Sequence, residues 1–179
     1  MEKQHLQHRS KILFYSMVVL MGILVVLSYI VLLPLVNTHQ DINALWFGIH
    51  GRMRQCYYVS IVLSAIAFVS STTWLYFHSK HINQMWIPYF VFLVGAVSWS
   101  VALWLWGNYK STTHQSLNIV LQICVVLALV ITSIGACGML YQSIRKVFST
   151  WVIIMYVYVC FHVVVLDNIG WTLHFLTNS

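Results

Sequence analysis

Nine lysines and arginines and three acids carry all the formal charge of this 179-residue chain. They act as punctuation, at Glu2, Lys3, Arg9, Lys11, Asp41, Arg52, Arg54, Lys80, Lys110, Arg145, Lys146 and Asp167. Between them lie five charge-free stretches, 12–40, 55–79, 81–109, 111–144 and 147–166. Each holds an apolar run near the roughly 20 residues that a helix needs to cross about 30 Å of hydrocarbon. The pattern predicts an all-α, polytopic membrane protein folded as a five-helix transmembrane bundle, with four spans as the alternative. The expected spans are 12–33, 55–77, 86–106, 117–141 and 148–170.

A soluble domain carries about 25% charged residues; here the share is 7%. So few charges cannot build a solvated surface, and the five spans use most of the chain. The expectation is one transmembrane domain, 1–179, whose main partner is the lipid bilayer. The first span is expected to serve as an uncleaved anchor, since its apolar run is span-length and lacks a small-residue cleavage site. The net charge of +6 does not point to nucleic acid, because the positives stand at span ends. With the N-terminus on the cytoplasmic side, Lys3, Arg9, Lys11, Lys80, Arg145 and Lys146 face inward. Arg52, Arg54 and Lys110 then face outward. That imbalance predicts a C-terminus on the opposite side.

Small residues recur at helical spacing. Ser60, Ser64, Ala67 and Ser71 share one face of span two. Gly95, Ser98 and Ala102 do so in span three, and Ala128, Thr132 and Gly135 in span four. Such faces let helix backbones approach closely, within the chain or in a homo-oligomer. Pro88 is expected in the first turn of span three, where its missing N–H costs little.

Most of the eight tryptophans and ten tyrosines fall near span ends, as an interfacial belt would. Tyr57, Tyr89, Trp106 and Trp171 are among them. Trp99, Tyr156 and Tyr158 sit deeper and are candidates to line a pocket, with Trp46 above them in the long 34–54 loop. His162 is the histidine placed deep in a span, and an ionisable group at that depth is a candidate functional site. Asp167, near the end of span five, shares a helical face with Trp171 and His174. Its expected partner is Arg52 or Arg54. A transmembrane haem would need a second deep histidine, and His39, His50, His78, His81, His114 and His174 fall in loops or at span ends. No cofactor is assigned.

The sequence shows no paired carboxylates, no metal-ligand cluster and no nucleophile beside a base, so no catalytic residue is nominated. Cys56, Cys124, Cys137 and Cys160 form no C-x-x-C pair and are expected to behave as buried small hydrophobes.

Span three reads AVSWSVALWLWG over 96–107, and span five ends in Asp167-Asn168. With five spans, many tryptophans and the longest loop between spans one and two, the chain resembles the tryptophan-rich sensory protein/translocator protein (TspO) family. Trp99 and Gly107 match the family's A-x-N-W…F-F-G segment, with Ser98 in place of Asn. Asp167-Asn168 matches its W-x-D-N, with Val165 in place of Trp. The family's proline-rich loop signature is absent. The resemblance implies a pocket for a planar hydrophobic molecule, porphyrin or sterol-like, roofed by the 34–54 loop. His162 or Asp167 would orient a polar end of such a ligand. The alternative is a structural or assembly protein, an accessory subunit of a membrane complex or a viral membrane protein, without a ligand; a transporter or channel comes after both.

Overall fold

A computed structural model describes residues 2–28, 49, 51–78, 81–109, 115–146 and 148–178. Among the described residues five helices are long and apolar enough to cross a membrane. They are α1 (Glu2–Leu27), α2 (Gly51–Phe77), α3 (Ile82–Tyr109), α4 (Gln115–Arg145) and a composite fifth. The fifth runs without a break from α5 (Thr150–Phe161) through a π-helical stretch (His162–Trp171) into α6 (Thr172–Asn178). Trp46 and most of the long loop lie outside the described residues.

The helices outrun the spans read from the sequence. Helix α1 starts at Glu2 rather than near Lys11, since Glu, Lys, Gln and Leu favour a helix in water as well as in lipid. Helix α3 starts at Ile82, so Pro88 falls in its interior and not in the first turn. There it faces Gly138 of α4, where an added Cβ would stand 3.3 Å from the proline Cβ.

Around the bundle the neighbours run α1, α3, α4, α5 and α2, with α3 and α4 in the most extensive contact. The small-residue faces explain that pairing. A Cβ on Gly95 would come within 2.5 Å of the Thr132 backbone nitrogen, and one on Gly135 would collide with the Phe92 backbone. Two helices therefore touch backbone to backbone, which is how packing compensates for the missing hydrophobic drive between helices in lipid. Helix α1 meets α2 at one end, where Tyr15 sits edge-on to Tyr76 at 5.2 Å and Lys11 lies 4.0 Å above the Tyr76 ring. At the same end Ser10 donates to Asn83 of α3 (2.8 Å).

The interior is filled by two apolar clusters. One gathers Phe14, Tyr89, Met139, Val152 and Tyr156. The other gathers Ile49, Tyr57, Trp106, Trp171 and Phe175. Tyr57, Tyr89, Trp106 and Trp171, expected in the interfacial belt, are all buried here. A bundle of this size has to fill its centre with large rings, so periodicity near a span end does not keep an aromatic at the surface.

The cysteines also depart from expectation: Cys56, Cys124 and Cys137 are exposed and Cys160 is half-buried. A small apolar side chain loses nothing by facing lipid. Cys137 of α4 and Cys160 of α5 approach to 3.4 Å between sulfurs. Mild oxidation in membranes is expected to join them as an intramolecular disulfide, detectable as a linked peptide pair. Failure to crosslink would contradict the α4–α5 packing. In the same preparation Gly135→Ala is expected to lower stability by about 1–3 kcal/mol through overpacking. Gly22→Ala has nothing within 4 Å to meet and is expected to be neutral or mildly stabilising; detergent unfolding compares the two.

Candidate functional site

A polar layer divides the two apolar clusters, and it is centred on the π-helical stretch. Around an α-helix, residues 162 and 167 would be turned about 140° from each other. The i→i+5 pattern of a π-helix instead puts residues five apart on one side. His162 and Asp167 are thus brought together, with Nε2 to Oδ2 at 3.6 Å. The expected partners Arg52 and Arg54 do not occupy that position; Arg54 bonds the Tyr58 hydroxyl on its own helix, at 3.1 and 3.2 Å. The change of helix type, not the charge inventory, decides what Asp167 faces.

The other imidazole nitrogen, Nδ1 of His162, lies 2.8 Å from the Ser60 hydroxyl of α2. The Tyr158 hydroxyl in turn donates to Ser60 Oγ at 3.4 Å. In the Nε2–H tautomer Nδ1 accepts the Ser60 proton, and Ser60 Oγ accepts from Tyr158. The Asp167 carboxyl, 3.6 Å from Nε2, lies just beyond hydrogen-bond length. Ser60 and His162 are buried, while the Asp167 side chain is 29% exposed. The middle of the relay is therefore packed, while Asp167 and the half-buried Tyr158 bring its two ends toward the bundle surface.

Its neighbours hold the π-helical backbone in place. Tyr57 of α2 donates to the Leu166 carbonyl. Gly170 leaves room for that phenol, since a Cβ there would collide with the Tyr57 hydroxyl oxygen. Asn168 donates to Ser133 Oγ (2.7 Å) and to the Leu129 carbonyl (3.2 Å) of α4. The Thr172 hydroxyl returns to the Asp167 carbonyl at 3.2 Å. In hydrocarbon, polar groups left without partners cost several kcal/mol, so this degree of pairing is what permits an irregular helix there.

The residues nominated from the sequence separate into two places. His162, Asp167 and Tyr158 meet in the relay. Trp99 belongs to the second apolar cluster, edge-to-face with Trp171 at 5.6 Å. Trp171 stacks on Phe175 at 5.0 Å, and Phe175 meets Trp106 at 4.9 Å. Tyr156 lies elsewhere, fully buried in the first cluster, with its hydroxyl 2.9 Å from that of Tyr89. Thr72 continues that second hydroxyl group, 3.0 Å from Tyr89. Trp46 falls outside the described residues.

The sequence places Ser60 on a packing face of span two, and the structure adds that it is hydrogen-bonded to His162, 102 residues away. The available signal was the helical face that Ser60 shares with Ala67 and Ser71, which marks a close neighbour without naming it. Among the described residues no group of three or more histidines, cysteines or acids is placed to hold a metal ion. A lipid-side groove of about 440 Å³, lined by Val69, Ser70, Thr73, Trp74, Phe77 and Trp151, lies toward the opposite end of α2.

The five helices fit a multi-pass membrane protein. Comparison with protein-family models, with curated proteins and with solved structures finds no match.

Replacing Ser60 by Ala leaves the buried Nδ1 of His162 without its partner. The expected loss is about 1–3 kcal/mol, read from unfolding in detergent. Ser64→Ala removes only a bond back to the Ile61 carbonyl of its own helix and is expected to stay within about 0.5 kcal/mol. Equal stability of the two variants would mean that Ser60 does not tie α2 to the fifth span.

Proposed function

We propose that this is an integral membrane protein that binds a hydrophobic small molecule drawn laterally from the bilayer. The polar end of the ligand sits at His162 and Asp167, and its apolar body lies along Trp99 and the seam between α2 and the fifth span. The observation that carries this reading is the hydrogen-bonded set Tyr158–Ser60–His162, with the partly exposed Asp167 carboxyl 3.6 Å from the imidazole. Ionisable groups inside a membrane are expensive and mark sites of substrate, ion or proton handling.

The resemblance to the TspO family supports a hydrophobic ligand. The aromatic column Trp99–Trp171–Phe175–Trp106 fills the space beside Trp99, which favours a slender molecule over a porphyrin. The six inner against three outer lysines and arginines support an N-terminus on the cytoplasmic side. The relay end of the bundle then faces outward. The second reading, an assembly protein without ligand, is favoured by the filled apolar clusters.

Lipid esters brominated along the chain quench tryptophan on contact and separate the two readings. Saturable quenching in nanodiscs, weakened in Trp99→Phe and in Asp167→Asn, is the expected result. Protoporphyrin IX is expected to quench less tightly. Quenching that rises linearly with probe and is identical in all variants would overturn the binding site, and a stable oligomer under those conditions would favour assembly.

A further inference from the structure

We propose that Ser60 is a nucleophile, activated by His162 and Asp167, that accepts the acyl group of a neutral long-chain ester dissolved in the bilayer. The inference rests on the binding site above and adds covalent chemistry to it.

Serine is a weak nucleophile until a base takes its proton, and the base works best when a third group orients it. All three roles are filled here. Nδ1 of His162 stands 2.8 Å from Ser60 Oγ, within the reach required of a general base. Asp167 Oδ2 stands 3.6 Å from Nε2, too far for a hydrogen bond but close enough for its charge to offset an imidazolium. The geometry is that of a nucleophile–base–acid set, which is recognised by roles rather than by sequence order. Tyr158 donates to Ser60 Oγ at 3.4 Å, which helps hold the serine hydroxyl with its own proton toward Nδ1.

Position in the membrane selects the substrate class. Nine residues, or about 14 Å of helix, separate Gly51 at the start of α2 from Ser60. The hydroxyl therefore lies below the headgroups, where charged lipids do not descend but neutral esters do. Val59, Ile61, Val62 and Leu63 flank it on the lipid side. Ser60 is buried where α2 packs on α5, so an acyl chain reaches it by parting that seam beside the half-buried Tyr158.

In the first step Ser60 Oγ bonds to the ester carbonyl carbon, and its proton passes to His162 Nδ1. Asp167 balances the charge of the imidazolium. The tetrahedral intermediate collapses, the C–O bond to the alcohol breaks, and the leaving alkoxide takes the proton from Nδ1. In the second step a lipid alcohol from the bilayer attacks the acyl-Ser60 carbonyl and gives its proton to Nδ1. The carbon–Oγ bond then breaks, Oγ takes that proton back, and a new ester leaves.

The test is a long-chain alkyl fluorophosphonate, applied to the full chain in nanodiscs and followed by mass spectrometry. The expected result is a phosphonyl adduct on Ser60 that is absent in Ser60→Ala. In His162→Gln the labelling rate is expected to fall about 100-fold or more, in line with the share that general base catalysis supplies. In Asp167→Asn it is expected to fall severalfold. The Cys137–Cys160 crosslink reports that each variant is folded. An unlabelled Ser60 in crosslinkable wild-type protein, or labelling as fast in His162→Gln, would overturn the nucleophile. If brominated esters still quench saturably in that case, the binding site stands and only the covalent chemistry falls. If neither signal appears, both fall.

Discussion

Hydrocarbon offers no water to a polar group, and this fold is organised by that constraint. Serine and threonine hydroxyls turn back onto carbonyls of their own helices, as Thr132 does on Ala128 and Thr72 on Phe68. Groups that cannot be satisfied locally reach across to a neighbour, and those crossings decide where the helices meet. Apolar side chains contribute shape rather than drive, because lipid solvates them as well as protein does. The bundle is therefore specified by its few polar and small residues. Gly95 and Gly135 set the α3–α4 approach, and Ser60, His162 and Asn168 tie the fifth span to α2 and α4.

The π-helical stretch shows this constraint acting against regular structure. Its longer turn weakens the backbone ladder, and such turns are frequent at functional sites. Here the irregular backbone is held from three sides. Tyr57 bonds the Leu166 carbonyl, Asn168 reaches α4, and the Thr172 hydroxyl covers the Asp167 carbonyl. The gain is an alignment of His162 with Asp167 that an α-helix of the same sequence does not provide. The same turn leaves Gly170 under the Tyr57 phenol, so the backbone irregularity and its side-chain support are one unit. That unit lies between the two apolar clusters, which brace it from either end of the bundle.

Function in this chain is a question about one layer of the bundle. The aromatic column next to Trp99 fills the interior, and the Asp167 side chain is the partly exposed edge of the layer. On the proposed reading, a bound molecule brings a polar group into the membrane and presents it to His162 and Asp167. The buried hydroxyl group of Tyr89, Tyr156 and Thr72 lies in the other cluster and contributes to packing of α2, α3 and α5.

Much of the architecture was legible from the charges, because exclusion of ionic side chains from hydrocarbon is a local, one-dimensional rule. It anticipated five long apolar helices and the helical class, and it marked His162 as an ionisable group within one of them. The small-residue faces were equally visible, since spacing along one helix fixes them. Their partners were not, as nothing in the segment around Ser60 reveals that it meets a histidine 102 residues away. The burial of Tyr89 and Trp106 was likewise undetermined, because rings suited to an interface also fill a core. Only the tertiary structure set the π-helical register. That choice depends on Tyr57, Ser133 and Gly170 standing in place around the fifth span, and it alone turns Asp167 toward His162.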